Sequence, residues 1–339
     1  MSHGASSNHL QQKPANRFAQ RIDNNLTTIT LIGSFIVICI IFASMSDNFL
    51  STSNFSNITK QLAVVGVVSI GMTIVLVSGG VDLSVGSVAA LSGVVTSLLW
   101  IETGIPLFFA TILGLLSGTL VGFLNGFMVT ILKINPLITT LGTFSIVRGL
   151  AFVLSEGQTN QLNNEAFQFL GRGEIFSISF SLIVMLLLYI AFAVILRHTQ
   201  FGRNLYAIGG SPEASRLAGI AVTRHLLISY TLCGTLAALG GLIISSQLAS
   251  SAPRAATGLE FTVITAVILG GTSLSGGKGT LIGTCVVVII LRTLSNGLTI
   301  TEVPSWYQDV ANGAALIIAV GFDQIRIRIT EQASRRAKQ

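Results

Sequence analysis

The sequence carries very little charge. Only 9% of its 339 residues are Asp, Glu, Lys or Arg, whereas 51% are apolar. An average soluble domain has about 25% charged residues, so a water-soluble fold of this length could not cover its surface with polar groups. The shortage of charge therefore excludes an ordinary soluble domain and favours a membrane protein.

Residues for catalysis and metal binding are also scarce. The three cysteines stand singly in apolar stretches and the four histidines lie in polar segments, so no disulfide framework or metal-ligand spacing is present. No HExxH or GxSxG motif occurs. The stretch GTSLSGGKGT fails as a phosphate-binding loop at Thr272 and Gly279. We predict no catalytic residue, no metal and no cofactor in this chain.

Apolar residues are present in blocks of the length that crosses a bilayer, which is about 17 to 25 residues. We predict an all-α polytopic membrane protein with about ten transmembrane helices and both termini in the cytoplasm. A polar tail (1–26) and a basic tail (323–339) would flank one transmembrane domain (27–322). The ten blocks run over 27–47, 61–79, 85–101, 105–132, 137–154, 176–196, 226–248, 261–275, 280–297 and 308–322.

Basic residues predict the orientation of these spans. With the N-terminus inside, fourteen of the nineteen Lys and Arg residues fall in inside segments, and only Lys60, Arg172 and Arg254 fall outside. This is the bias that the positive-inside rule expects. The other two, Arg148 and Arg292, lie within spans. Because the basic residues form no stripe with interleaved aromatics, the net charge of +6 does not favour a nucleic-acid partner.

The longest inside loop, 197–225, contains the signals of a short helix. Ser211 precedes a Pro-Glu-Ala run as an N-cap precedes a first turn, and Gly219 is a suitable C-terminal stop, so a helix over 212–218 is predicted. It is either a solvated connection or a docking helix for a cytoplasmic partner. The spans hold few titratable groups for ion coupling, so the energy for transport would have to come from a partner. This favours the docking-helix interpretation.

A glycine-rich pattern occurs twice, as GGVDLSVG from Gly79 and GGTSLSGG from Gly270, at an offset of 191 residues. In each copy an apolar block ends in paired glycines, which predicts a helix that breaks or turns sharply near the inner side. Such small residues either pack helices or line a solute path. The first copy contains Asp82, which favours function because a carboxylate at membrane depth is costly. Ser84 and Ser275 occupy matching positions.

The two arginines within spans are the most costly residues, at about 2.5 to 3.5 kcal/mol each at a helix centre. Arg148 and Arg292 either clamp helices through backbone carbonyls or donate hydrogen bonds into a solute cavity. An ion pair between Arg148 and Asp82 is a further hypothesis. The residues that we predict for the solute pathway or its gate are Asp82, Ser84, Asn125, Arg148, Ser275 and Gln308.

Four stretches of the chain resemble the bacterial ABC permeases for ribose, xylose, arabinose and galactose. The resemblance covers nearly the whole chain from about residue 27, in the family's order and spacing. The stretches are GMTIVLVSGGVDLSVGSVAALSG (71–93), KINPLITTLGTFSIVRGLA (133–151), TQFGRNLYAIGGSPEASRLAGI (199–220) and AVILGGTSLSGGKGTLIGT (266–284).

The resemblance implies a transmembrane subunit of an importer in the bacterial inner membrane that moves a monosaccharide by alternating access. It also implies three partners: a cytoplasmic ATP-binding subunit, a periplasmic or lipoprotein solute-binding protein, and a second permease, identical or paralogous. Two alternatives stay open, a permease for branched-chain amino acids or another small solute, and an autonomous secondary carrier. The matched coupling loop predicts ATPase contact at Gly209, Gly210, Glu213, Ala214, Arg216 and Gly219.

Overall fold

The structure is a computed structural model that describes residues 32–321 apart from 309, 312 and 319. The predicted tails, 1–26 and 323–339, lie outside these residues, and the described part is mostly helical. The helices are α1 (Ile32–Met45), α2 (Thr52–Val77), α3 (Val85–Ile101), α4 (Leu107–Thr130), α5 (Pro136–Leu154), α6 (Glu165–Arg172), α7 (Phe180–His198), α8 (Gln200–Gly210), α9 (Pro212–Leu217), α10 (Val222–Leu248), α11 (Leu259–Leu269), α12 (Leu281–Ile300) and α13 (305–321).

Two small antiparallel sheets are formed by the connections at one end of the helices. β1 (Asn160–Gln161) pairs with β4 (Ser250–Ser251), and β2 (Glu174–Ile175) pairs with β3 (Ile178–Ser179) as a hairpin. The first sheet therefore ties the connection after α5 to the connection after α10. Each strand has two residues, so the sheets add little to a helical fold.

Six helices are long and apolar enough to cross a membrane: α2, α4, α5, α7, α10 and α12. The helices α1, α3 and α11 are apolar but shorter. Each of the first nine predicted blocks overlaps one helix, and the tenth falls on α13, which is only partly described. The multi-pass helical architecture is confirmed, and the number of ten spans stays a prediction.

The surface of the bundle is apolar, as a lipid-facing surface must be. Phe108 of α4, Ile146 of α5 and Ile190 of α7 are 70%, 71% and 64% exposed, and many similar side chains lie beside them. Soluble monomers rarely expose contiguous apolar area on this scale. By contrast, α2 is buried continuously from Leu62 to its end at Val77 and forms the centre of the core.

Helices α4 and α10 approach so closely that glycine is required between them. A Cβ added to Gly122 would meet the carbonyl oxygen of Tyr230 and the Cα of Gly234. A Cβ added to Gly118 would meet Ala238 and the carbonyl oxygen of Gly234. Small residues at a spacing of four let helix backbones pack in lipid, where apolar burial supplies little driving force. This close packing fixes α4 against the core.

Candidate functional site

The predicted short helix is present at the start of the loop that follows α8. Helix α9 begins at Pro212, and the Ser211 hydroxyl caps it by accepting a hydrogen bond from the Ala214 amide at 3.2 Å. Its last residue is Leu217, one residue before the predicted end, and Gly219 adopts the left-handed φ of +82° that ends the turn. The helix prediction is confirmed.

Helix α9 presents most of its side chains to solvent. Glu213, Ala214 and Arg216 are exposed, and Leu217 is 90% exposed, whereas Ser215 is buried against the rest of the protein. An apolar side chain that protrudes among charges on a short helix is a suitable anchor for a partner groove. All of the predicted coupling residues except the half-buried Gly209 are therefore accessible from solvent.

Both glycine-rich connections begin with the same helix-ending turn. After α2, the amides of Gly79 and Gly80 donate to carbonyls three and five residues earlier; after α11, Gly271 and Thr272 do the same. Gly79 and Gly271 hold the left-handed φ values of +85° and +92° that this turn requires. The predicted helix breaks are confirmed. The equivalent glycines are 192 residues apart (271 − 79), so pairing Gly79 with Gly270 is wrong by one residue.

The two connections meet each other and the end of α8 through backbone atoms. The Gly277 amide donates to the carbonyl oxygen of Val77 at 2.9 Å. A Cβ on Gly209 would overlap both of these atoms, and a Cβ on Gly276 would lie 2.8 Å from the Cα of Gly79. We call Gly79, Gly209, Gly276 and Gly277 the glycine junction. It joins the segment that carries α9 to both helix breaks.

Three of the predicted pathway residues form one buried cluster. The Asp82 Oδ1 atom accepts hydrogen bonds from the Ser84 amide at 2.9 Å and from the Ser84 hydroxyl at 2.6 Å, and Asn125 Nδ2 donates to that hydroxyl at 3.0 Å. All three residues are buried, and Asp82 Oδ2 has no hydrogen-bond partner among the described residues. This carboxylate cluster ties the first connection to α4. Ser275, which the sequence pattern pairs with Ser84 at an offset of 191, is exposed in the second connection.

Arg148 binds backbone carbonyls at the opposite end of the bundle. Its Nη1 atom donates to the carbonyl oxygens of Pro253 at 2.7 Å and Ala255 at 2.8 Å, in the connection between β4 and α11. Among the described residues, Arg148 and Asp82 form no ion pair. The pairing hypothesis is therefore wrong for this structure, because the two residues serve connections at opposite ends. The backbone-clamp interpretation of Arg148 is the one that the geometry bears out.

A cavity of about 920 Å³ opens where α2 begins and α12 ends. We call it the outer cavity, since this end is external in the predicted topology. Its volume lies near the upper end of the range of about 300 to 1,000 Å³ for ligand pockets. Its walls are largely apolar, with polar side chains that include Gln61, Gln247, Arg292, Ser295 and Gln308.

Only one predicted pathway residue, Gln308, lines the outer cavity. Gln308 accepts a hydrogen bond from the Ser295 hydroxyl at 2.7 Å and donates to the Thr299 hydroxyl at 3.1 Å. The sequence-based list omits Arg292, which does line the cavity. The available signal, a lone arginine in an apolar block, is the same for Arg148 and Arg292, so the sequence does not tell which of them faces a cavity.

These features define a polytopic helical membrane protein with a short solvent-exposed helix, α9, and a cavity that opens at one end of the bundle. The chain belongs to the family described as the permease component of the branched-chain amino acid transport system, which matches residues 54–320. It is therefore a multi-pass transporter subunit of the bacterial inner membrane, as predicted, and not a catalytic enzyme.

Relatives confirm the resemblance to sugar ABC permeases. The chain is 42% identical to the ribose import permease of Bacillus subtilis over 295 residues, which is 86% of this chain and 91% of the relative. It is 37% identical to the ribose import permease of Escherichia coli K12, over 87% of this chain and 92% of the relative. It is also 37% identical to an L-arabinose ABC transporter permease of Azospirillum brasilense, over 87% of each. No solved structure matches this chain.

Proposed function

We propose that this chain is the membrane-spanning permease of an ATP-driven, binding-protein-dependent importer, and that it moves a monosaccharide inward by alternating access. Relatives named for ribose and arabinose support the solute class. The chain would span the membrane about ten times with both termini inside. It would pair with a second permease, receive solute from a periplasmic or lipoprotein binding protein, and draw energy from a cytoplasmic ATP-binding subunit.

The glycine junction is the observation that carries the proposal. Helix α9 is exposed for docking, and it follows Gly209, whose backbone lies directly against Val77 and Gly277. Closely packed backbones cannot slide independently, because there is no flexible side chain between them to absorb a displacement. A partner that pushes α9 would therefore shift both helix breaks together. This is the kind of rigid-body transmission that alternating access needs.

A charge reversal on α9 tests the docking step. In proteoliposomes that contain the permease, its ATP-binding subunit and its binding protein, Glu213→Arg is expected to lower both sugar uptake and binding-protein-stimulated ATP hydrolysis about tenfold. That factor corresponds to a loss of about 1.4 kcal/mol of docking free energy. The matched control is Glu102→Arg, the same reversal at an exposed site at the far end of α3.

The outcome also separates the importer from an autonomous carrier. If wild-type uptake continues at full rate when the ATP-binding subunit is inactivated, the proposed function is wrong and the carrier interpretation replaces it. If Glu213→Arg and Glu102→Arg both transport like the wild type, α9 is not the docking element.

A permease for branched-chain amino acids is the second candidate, because the family description names those solutes. Uptake of D-ribose, L-arabinose and L-leucine, each supplied with the binding protein encoded beside this chain, separates the two. ATP-dependent leucine uptake without sugar uptake would establish the second candidate.

A further inference from the structure

Arg292 has no partner for its charge in the described part of the chain. It lies in the middle of α12 and lines the outer cavity. Its Nε atom is buried, and no described residue accepts a hydrogen bond from the guanidinium group. A guanidinium group carries five N–H donors and is costly within a membrane unless it faces water or a ligand. The cavity is therefore where its donors can be satisfied.

The wall around Arg292 has the composition of a pocket for a hydroxylated ligand. Phe144 and Phe261 contribute aromatic surface, and Gln247 and the Ser295–Gln308 pair contribute amide and hydroxyl groups. Ligand pockets typically combine apolar walls with a few placed polar groups. The Ser295–Gln308 hydrogen bond fixes the orientation of two of these groups before any ligand arrives, which lowers the entropy lost on binding.

Glu260 distinguishes a sugar from an amino acid as the occupant. Glu260 contributes to the cavity wall, but it is only 3% exposed. A Cβ added to Gly86 of α3 would collide with the Oε2 atom of Glu260. The carboxylate is thus directed toward α3 rather than into the open space. A zwitterionic amino acid could place its carboxylate on Arg292, but among the described residues no carboxylate faces the open space to receive its ammonium group. A neutral polyol needs no such partner.

We infer that the outer cavity is a solute site of the permease itself, in which Arg292 donates hydrogen bonds to adjacent hydroxyls of a neutral monosaccharide. The planar guanidinium can donate two parallel hydrogen bonds, which suits a vicinal diol. Ser295 and Gln308 complete the polar wall, and the aromatic rings receive the C–H face of the sugar. This inference rests on the proposed function and adds a binding residue to it.

Protection of an introduced thiol tests occupancy without relying on transport. Ser295→Cys is prepared in the complete transporter and treated with a membrane-impermeant methanethiosulfonate reagent. D-Ribose or L-arabinose is expected to slow its modification by the factor 1 + [L]/Kd, about threefold at twice the Kd. The control is Ser177→Cys, exposed in the β2–β3 hairpin outside the cavity, which the sugars should leave unchanged. Labelling of the wild type supplies the background from its own cysteines.

Replacing the arginine tests its role in the same assay. Arg292→Met keeps a long apolar side chain in the helix and is expected to abolish sugar protection of Ser295→Cys. Arg292→Lys keeps the charge but not the planar pair of donors, so it should retain only part of the protection. Equal protection in all three backgrounds would overturn the role of Arg292.

The failures of the site and of the function are distinguishable. If wild-type uptake of sugar requires ATP but no sugar protects Ser295→Cys, the cavity inference is wrong and the importer proposal stands. If L-leucine protects and the sugars do not, the assignment to a sugar is wrong. If the wild type shows no ATP-dependent sugar uptake, the proposed function itself fails.

Discussion

The two ends of this molecule, inner and outer in the predicted topology, are built in opposite ways. At the inner end, Gly209, Gly277 and Val77 meet through backbone atoms, with no space for an added Cβ at either glycine. At the outer end, side chains border a cavity of about 920 Å³ that has space for a solute and water. An element that transmits movement benefits from tight packing, whereas a site that must exchange its ligand needs free volume. The inner end is therefore suited to transmitting movement, and the outer end is suited to binding and releasing a solute.

The largest expected effect comes from adding a methyl group to the inner end. Gly209→Ala would drive a Cβ into the Val77 carbonyl, whereas Gly142→Ala in α5 meets nothing within 4 Å. Overpacking costs about 1 to 3 kcal/mol, so we expect ATP-driven uptake to fall tenfold or more for Gly209→Ala and to stay at the wild-type level for Gly142→Ala. Equal uptake by the two variants would show that the junction does not transmit movement.

The second effect concerns the stability of the outer end. Arg148→Met removes the hydrogen bonds to the carbonyls of Pro253 and Ala255, and bonds from charged donors contribute about 1.5 to 3 kcal/mol each. We expect a lower thermal midpoint in detergent and faster proteolysis within 249–258. Arg292→Met serves as the comparison, since it breaks no hydrogen bond to a described residue and should not lower the midpoint. A lower thermal midpoint for Arg292→Met than for Arg148→Met would contradict the stabilising role of the hydrogen bonds from Arg148.

The smallest effect is expected at an exposed outer pair. Hydrogen bonds from Ser56 and from Lys60, together with the charge of Lys60, hold the pKa of Glu174 below its usual value. A carboxylate with a lowered folded pKa stabilises the fold above its unfolded pKa, and this contribution disappears as pH falls through the folded value. Glu174→Gln should therefore lower the thermal midpoint slightly at pH 7 and have no effect once the pH lies below the folded pKa of Glu174. A difference in thermal midpoint between the wild type and Glu174→Gln that persisted in acid would show that ionisation of Glu174 is not its cause.

The sequence predicts where the apolar helices lie, because bilayer thickness dictates long apolar blocks and composition records them directly. The number of them that cross the membrane stays a prediction. The sequence also predicts α9, since Ser211 and Gly219 are local end signals. It does not predict α8, which lies within the predicted inside loop 197–225. That helix has 11 residues and mixes apolar positions such as Leu205 and Ile208 with polar ones, so it lacks the continuous apolar run that marks a span.

The candidate site is less predictable because its contacts join distant parts of the chain. Asp82, Ser84 and Asn125 are individually recognisable as polar residues in apolar surroundings, yet only folding shows that they bind one another and not the cavity. Arg148 and Arg292 likewise carry identical local signals. What separates them is the neighbouring structure: carbonyl oxygens stand opposite Arg148, and open volume stands opposite Arg292.

The hydrogen bond from the Gly277 amide to the Val77 carbonyl has a consequence for how such transporters diversify. Both of its atoms belong to the main chain, so no exchange of the side chain at position 77 can remove it. The polar groups of the outer cavity, by contrast, are side chains that single mutations replace. Point mutations can therefore change the polar groups of the outer cavity, while the main-chain contact at the glycine junction is inherited unchanged.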